Sequence, residues 1–323
     1  MAMEFGRKRQ GCLWGIVLAG GEGERLRGFV KDFLGTDAPK QFCNFTGQRT
    51  MLEETLLRAG THIPADRLVV VGATHHRRHL FAALEGARPG MVLLQPSGRD
   101  TGPGILLPLV HVLHQDPRAT VAVLPSDHFV NPGRRLMSVV ERVAEYLSAT
   151  GSEDIVLLGV RATEPEPDYG WLEPGRSAGQ AGSVAVHRVS HFIEKPTVKQ
   201  AARLMANGWL WNTMVMVVQA QALWKIVRQV TPDLAAYFSM IRRSIDTFWE
   251  PQVLTEVYRM VPSVNFSHAI LSHCSERLLV ARVENVSWSD CGRGERILAS
   301  LAHMDILRSP GSSAVSSSIP RAG

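Results

Sequence analysis

An apolar run, Leu13-Trp14-Gly15-Ile16-Val17-Leu18, ends abruptly at Gly20-Gly21-Glu22-Gly23, and Arg25 follows at once. A short apolar run of this kind makes a buried strand. Glycines directly after it allow a tight turn and a close approach to the main chain. Backbone N–H groups exposed in such a turn, with an arginine fork beside them, suit a phosphate. The alternative is an ordinary strand-to-loop turn. Two other phosphate motifs do not fit. The dinucleotide fingerprint needs a glycine where Leu26 stands, and no Gly-Lys-Ser/Thr is present for a P-loop.

Further apolar runs recur at Leu68–Val71, Val92–Leu94, Val121–Leu124 and Ile155–Val160. Between them, Met51–Ala59, His76–Leu84 and Leu136–Leu147 carry helical spacing. This alternation predicts an α/β fold with a mostly parallel, doubly wound sheet. Ligands of such sheets sit at the carboxyl ends of the strands, so the loops there are where chemistry is expected.

Those loops are chemically distinctive. Asp127 follows the Val121–Leu124 run, and a carboxylate there costs energy unless paired or bound to a cation. Asp290, in Trp288-Ser289-Asp290-Cys291-Gly292, is a second carboxylate that could share one Mg²⁺ with it. Each alone is equally compatible with a helix cap or a turn. Lys40 could reach a phosphate, and Glu194-Lys195 pairs a hydroxyl acceptor with a cation, or makes a surface ion pair. Asn212 both donates and accepts, and Gly170 lies between Tyr169 and Trp171 where a sugar ring could pack. His75 and His79 stand four apart, but no acid is near in sequence, so a solvated helix face is the simpler reading.

The whole chain narrows the classes. Its 323 residues are 45% hydrophobic and 20% charged, ordinary for a globular protein. A net charge of +5 suits small anionic substrates and is too scattered for nucleic acid. Four cysteines without a C-x-x-C pair argue for a reducing compartment. With no signal-like start and no apolar stretch of membrane length, the expectation is a cytoplasmic protein without a membrane partner.

Together these segments resemble the sugar-1-phosphate nucleotidyltransferases, nearest to the mannose-1-phosphate guanylyltransferase branch. The pieces run in that family's order: L-A-G-G-E-G-E-R-L at 18–26, P-K-Q-F at 39–42, Q-P-S-G-R-D-T-G-P-G-I at 95–105, L-P-S-D-H at 124–128, Y-G-W-L-E at 169–173, F-I-E-K-P at 192–196, W-N-T at 211–213 and W-S-D-C-G at 288–292. The resemblance implies a Rossmann-like nucleotide-diphospho-sugar transferase fold over residues 12–305, between a flexible 1–11 and a disordered Ser-rich 306–323. It implies GTP and a sugar-1-phosphate as substrates, Mg²⁺ as cofactor and direct displacement at the α-phosphate. A homodimer is compatible with it. Nothing in the chain answers to the isomerase domain of bifunctional members, so a single-function transferase is expected.

Position by position, the resemblance assigns catalytic roles to Arg25 and Lys40, and nucleotide contacts to Gly20, Gly21, Gly23, Gln95, Pro96 and Gly98. It assigns the sugar phosphate to Gly170, Glu194, Lys195 and Asn212, and Mg²⁺ to Asp127 and Asp290. The long gap from Arg25 to Lys40, and Arg99 after Gly98, favour the guanylyl branch. Two departures matter. Asp100 stands where the family usually has asparagine, which bears on base choice, and Met214 stands where it has glycine, which bears on the sugar pocket.

Overall fold

A computed structural model describes residues 12–303; the expectations for residues 1–11 and for the Ser-rich tail at 306–323 lie outside them. Eleven strands are formed among the described residues: β1 (Leu13–Ala19), β2 (Leu68–Ala73), β3 (Met91–Gln95), β4 (Thr120–Pro125), β5 (Phe129–Asn131), β6 (Ile155–Arg161), β7 (Gly170–Ala181), β8 (Val184–Glu194), β9 (Leu210–Gln219), β10 (Leu278–Val283) and β11 (Ser287–Ser289). Nine of them make one sheet in the order β3-β2-β1-β4-β9-β6-β10-β8-β7, and β7 also pairs with β9. The contiguous set β3-β2-β1-β4 is parallel, and β6 is parallel to β10. β9 runs antiparallel to both β4 and β6.

Alternation of side chains builds two cores from one sheet. Val17, Val70, Ala122, Val156 and Leu158 point to one face. Ile16, Val69, Val71, Val121, Val123, Ile155 and Leu157 point to the other. The first face is covered by helices Met51–Ala59 and Gly133–Thr150, the second by Thr101–Gln115, Ala220–Val230 and Pro232–Ser244. Each fully buried Val, Leu or Ile contributes about 1.5–3 kcal/mol, so continuously apolar strands are held from both sides. The expected strands and helices are all present. Met51–Ala59 starts where Thr50 and Glu53 form a reciprocal capping box.

Two features were not legible in the alternation. β7, β8 and β9 add antiparallel pairing to the expected parallel sheet. The polar residues of β7 and β8 face solvent on one side, so neither strand reads as an apolar run. The second is the ribbon of β5 and β11, where Phe129 pairs with Ser289 and Val130 with Trp288. None of the described helices is long and apolar enough to cross a membrane.

Candidate active site

Strand order reverses beside β1: β2 and β3 continue to one side, β4 lies on the other. This is the switch point at which open α/β sheets bind ligands, outside the carboxyl ends of the strands. The glycine loop leaves β1 here and Ser126-Asp127 leaves β4. Ser126 ties the two exits together, donating from N (3.1 Å) and from Oγ (2.6 Å) to the Leu18 carbonyl.

Within the loop the three glycines differ. Gly23 has φ +64°, a conformation that favours glycine, and a Cβ there would sit 3.3 Å from the Lys40 nitrogen, a tight contact. A Cβ on Gly20 would meet Gln95 Nε2 at 2.7 Å, whereas one on Gly21 would meet nothing within 4 Å. Arg25 lies exposed on the short turn Glu24–Leu26. Gln95 ends β3, Pro96 and Gly98 follow it on the same side, and Gly98 lies near the Glu22 carboxylate. Gln95 is buried, and its Oε1 accepts from the Tyr258 hydroxyl (3.1 Å). Arg99 donates from Nε (3.2 Å) and Nη2 (2.9 Å) to the Tyr258 carbonyl. Asp100 caps helix Thr101–Gln115, its Oδ1 accepting from the Thr101 nitrogen (2.6 Å).

The β5–β11 ribbon brings the two aspartates together. Asp127 stands two residues before β5 and Asp290 one residue after β11, so the antiparallel register sets them side by side. Lys40 joins them. Its Nζ lies 2.8 Å from Asp127 Oδ2 and donates to the Asp290 carbonyl (3.1 Å). Burial pulls the Lys40 ammonium down, but Asp127 outweighs it and the net shift is upward. Burial likewise opposes ionisation of Asp127 and Asp290. Lys40 and His128 overcome it for the first, His128 and Arg296 for the second, and both carboxyls end below their usual value.

Asp290 Oδ1 accepts from Arg296 Nη1 (2.7 Å), the Gly292 nitrogen (2.9 Å) and the Tyr169 hydroxyl (3.1 Å). Its Oδ2, and Oδ1 of Asp127, take no hydrogen bond among the described residues. Each carboxylate thus keeps one oxygen without a hydrogen bond, although His128 Nε2 lies 3.7 Å from Asp127 Oδ1, and such oxygens fit an oxygen-seeking dication such as Mg²⁺.

Gly170, Glu194 and Asn212 also converge. Gly170 pairs with Glu194 across β7 and β8, and a Cβ on it would sit 2.7 Å from Glu194 Oε2 and 3.3 Å from Asn212 Cβ. Burial raises the Glu194 carboxyl, against the pull of Lys195 and His268. Lys195 has φ +51°, and its nitrogen donates to the Tyr169 carbonyl (3.1 Å). Met214 has φ +59°, the conformation a glycine takes freely. Its Sδ lies 3.6 Å from Asn212 Nδ2 and 3.1 Å from Ser267 Oγ, so the thioether lies against the asparagine.

Arg296 is absent from the sequence-derived set. It is buried among three acids, Glu166 (2.6 Å), Asp290 (2.7 Å) and Asp168 (3.1 Å), with its guanidinium 4.6 Å from the Tyr169 ring centroid. The acidic stretch Glu164-Pro165-Glu166-Pro167-Asp168 and the arginines after Asp290 were its only sequence signal. A cavity of about 360 Å³, lined in part by Tyr169, Trp211, Trp288 and Arg296, lies behind this group and reaches neither Lys40 nor Asp127.

A doubly wound sheet with a glycine loop, a lysine and two aspartates at its switch point defines an α/β protein with a candidate ligand site at its strand ends. The Nucleotidyl transferase family profile matches residues 14–304, and the chain belongs to that family. Among its relatives, xanthan biosynthesis protein XanB of Xanthomonas campestris pv. campestris (strain B100) is 26% identical over 294 residues, 88% of this chain and 58% of XanB. A mannose-1-phosphate guanylyltransferase of Salmonella muenchen is 25% identical over 288 residues, 86% of this chain and 57% of its own length. The chain thus spans somewhat over half the length of these relatives. A crystal structure from Thermus thermophilus, described as a mannose-1-phosphate geranyltransferase, superposes with a TM-score of 0.73 at 26% identity, covering 89% of this chain and 79% of that one.

Proposed function

We propose that the chain transfers a guanylyl group from GTP to mannose-1-phosphate, releasing pyrophosphate, with Mg²⁺ held by Asp127 and Asp290. The observation that carries this reading is the convergence of Lys40, Asp127 and Asp290 at the switch point, next to the glycine loop. The names of the relatives support the choice of substrates.

In this reading the sugar-phosphate oxygen attacks the α-phosphorus, and the bond to the bridging oxygen breaks with pyrophosphate leaving. The chain supplies position and charge, and no covalent enzyme intermediate is needed. Amides of the Gly20–Gly23 loop and the Arg25 fork hold the triphosphate. Lys40, paired here with Asp127, turns to the reacting phosphates. Glu194 and Asn212 accept and donate to sugar hydroxyls, and Lys195 meets the sugar phosphate. Bound Mg²⁺ would neutralise charge along both substrates' phosphates.

Met214 favours a second reading with the same chemistry, another hexose-1-phosphate, because its thioether lies against Asn212 in the proposed sugar pocket. Pyrophosphate release with Mg²⁺, over a grid of nucleoside triphosphates and sugar-1-phosphates, separates the two. A maximum at GTP with mannose-1-phosphate is expected. A maximum at another sugar establishes the second reading, and a blank grid overturns both.

A further inference from the structure

The sequence offers no acid near His75, but the fold supplies one across 53 positions. Glu22, in the glycine loop, lies against the turn Thr74–His76. His75 Nε2 is 2.9 Å from Glu22 Oε1, and His76 Nε2 is 3.5 Å from Glu22 Oε2. The two imidazole rings are 4.0 Å apart between centroids. His79 lies outside this cluster, on the helix Arg77–Ala83, where its ring stacks on Phe42 at 5.7 Å between centroids.

We propose that Glu22, His75 and His76 form a binding site for a borderline transition-metal dication such as Zn²⁺ or Co²⁺, separate from the Mg²⁺ position. One ligand atom from each residue lies within 4.8 Å of the other two, and no other His, Cys, Asp or Glu triad among the described residues is drawn so close. Ligands around a tetrahedral ion with bonds of about 2.0–2.1 Å stand about 3.3–3.4 Å apart. The two Glu–His separations bracket that value. The half-exposed His75 ring has the freedom to adjust.

His76 is only 7% exposed, and its Nε2 faces the Glu22 carboxylate without a hydrogen bond among the described residues. Two imidazoles and one carboxylate suit zinc or cobalt, whereas Mg²⁺ prefers an all-oxygen shell.

The site joins two loops. Thr74 anchors the histidine turn by donating to the Gln95 carbonyl (2.9 Å), and Glu22 belongs to the glycine loop. A bound ion therefore restrains the loop that would hold the triphosphate.

The test uses binding, not turnover. Co²⁺ is titrated into the chain in excess Mg²⁺, followed by equilibrium dialysis and by visible absorption, with wild type, His75→Ala and the Asp127→Asn/Asp290→Asn double variant in parallel. Wild type and the double variant should each take up a single Co²⁺ with the intense visible bands of a low-coordinate site. His75→Ala should bind about tenfold more weakly or worse, since loss of even an outer-shell partner costs that much. A metal-free melting curve verifies that His75→Ala is folded. Absence of Co²⁺ uptake by wild type overturns the proposal. So does uptake that survives His75→Ala, or that the aspartate pair alone abolishes.

Discussion

Arg296→Met removes a cation that holds three acids, and the structure sets the size of the effect. The Arg296 and Glu166 side chains are 10% and 8% exposed, while Asp290 and Asp168 retain 22% and 25%. Truncating one partner of a buried ion pair costs about 3–5 kcal/mol, because the remaining charge stays buried. The two half-wet aspartates regain water, so the costs do not add and the total stays within that range. At this chain length each kcal/mol moves the melting midpoint by roughly 2 °C, which gives a drop of about 6–10 °C near neutral pH. Arg296→Lys keeps the charge but cannot fork to three carboxylates, so its drop is smaller. The pH dependence has a definite sign. Asp290 has a depressed pKa in the folded state, so its stabilisation is present above the ordinary carboxyl value and fades as pH falls through the folded one. The difference between wild type and Arg296→Met should therefore stay level from pH 8 to about pH 4 and narrow from there towards pH 2. Thermal denaturation followed by circular dichroism at pH 8, 4 and 2 measures it. A drop below about 2 °C near neutral pH, or a gap that widens in acid, would refute the account of Arg296 as the counter-ion of this acidic cluster.

Other outcomes follow from the same geometry. Asp127→Asn and Asp290→Asn should each lower turnover by about 100-fold or more in a Mg²⁺-dependent pyrophosphate-release assay, as losing one preorganised charge does elsewhere; normal rates in both would remove the metal assignment. Arg25→Lys should weaken kcat/KM for the triphosphate by about tenfold or more, since a lost charge-assisted hydrogen bond is worth roughly 1.5–3 kcal/mol, and wild-type kinetics would detach Arg25 from the phosphates. Met214→Gly relieves a left-handed conformation worth about 1–2 kcal/mol and adds about 0.5–1 kcal/mol of unfolded-chain entropy. The melting midpoint should move little while KM for the sugar phosphate changes; an unchanged KM across sugars would show that the thioether does not shape the pocket. The Lys40–Asp127 pair should stabilise the fold between two limits. Asp127 is depressed, so its contribution is lost in acid below the ordinary carboxyl value of 3.8; Lys40 is raised, so its contribution is lost only above 10.5. A melting curve flat across both limits would show the pair to be inert.

What the sequence revealed and what it hid divide along a physical line. β1, β2, β4 and β6 are buried on both faces, and such strands announce themselves as unbroken apolar runs. Gly23 is legible because a left-handed turn at a strand exit leaves few residues to choose from. Asp127 and Asp290 are legible singly, since each is a carboxylate beside apolar chain, but their partnership is not. It depends on the β5–β11 ribbon, two three-residue strands whose register no local pattern encodes. Arg296 and Glu22 mark the limit more sharply. Each is an ordinary charged residue in a polar stretch, and its meaning comes from partners 130 and 53 positions away, Glu166 and His75. Local sequence reports what a residue costs to bury; it does not report which distant group offsets that cost. The loops at the switch point thus mark the candidate site, while the side chains that pair with its acids and with the glycine loop emerge only when the sheet has brought its strand ends together. Met214 combines both levels. A methionine at φ +59° keeps the backbone of a glycine position while filling the space a glycine leaves open, so the turn is retained and the pocket wall is changed. Under the proposed function, a side chain that keeps this backbone and alters only the surface beside Asn212 acts on substrate choice, which is what the Met214→Gly comparison of KM across sugars reads.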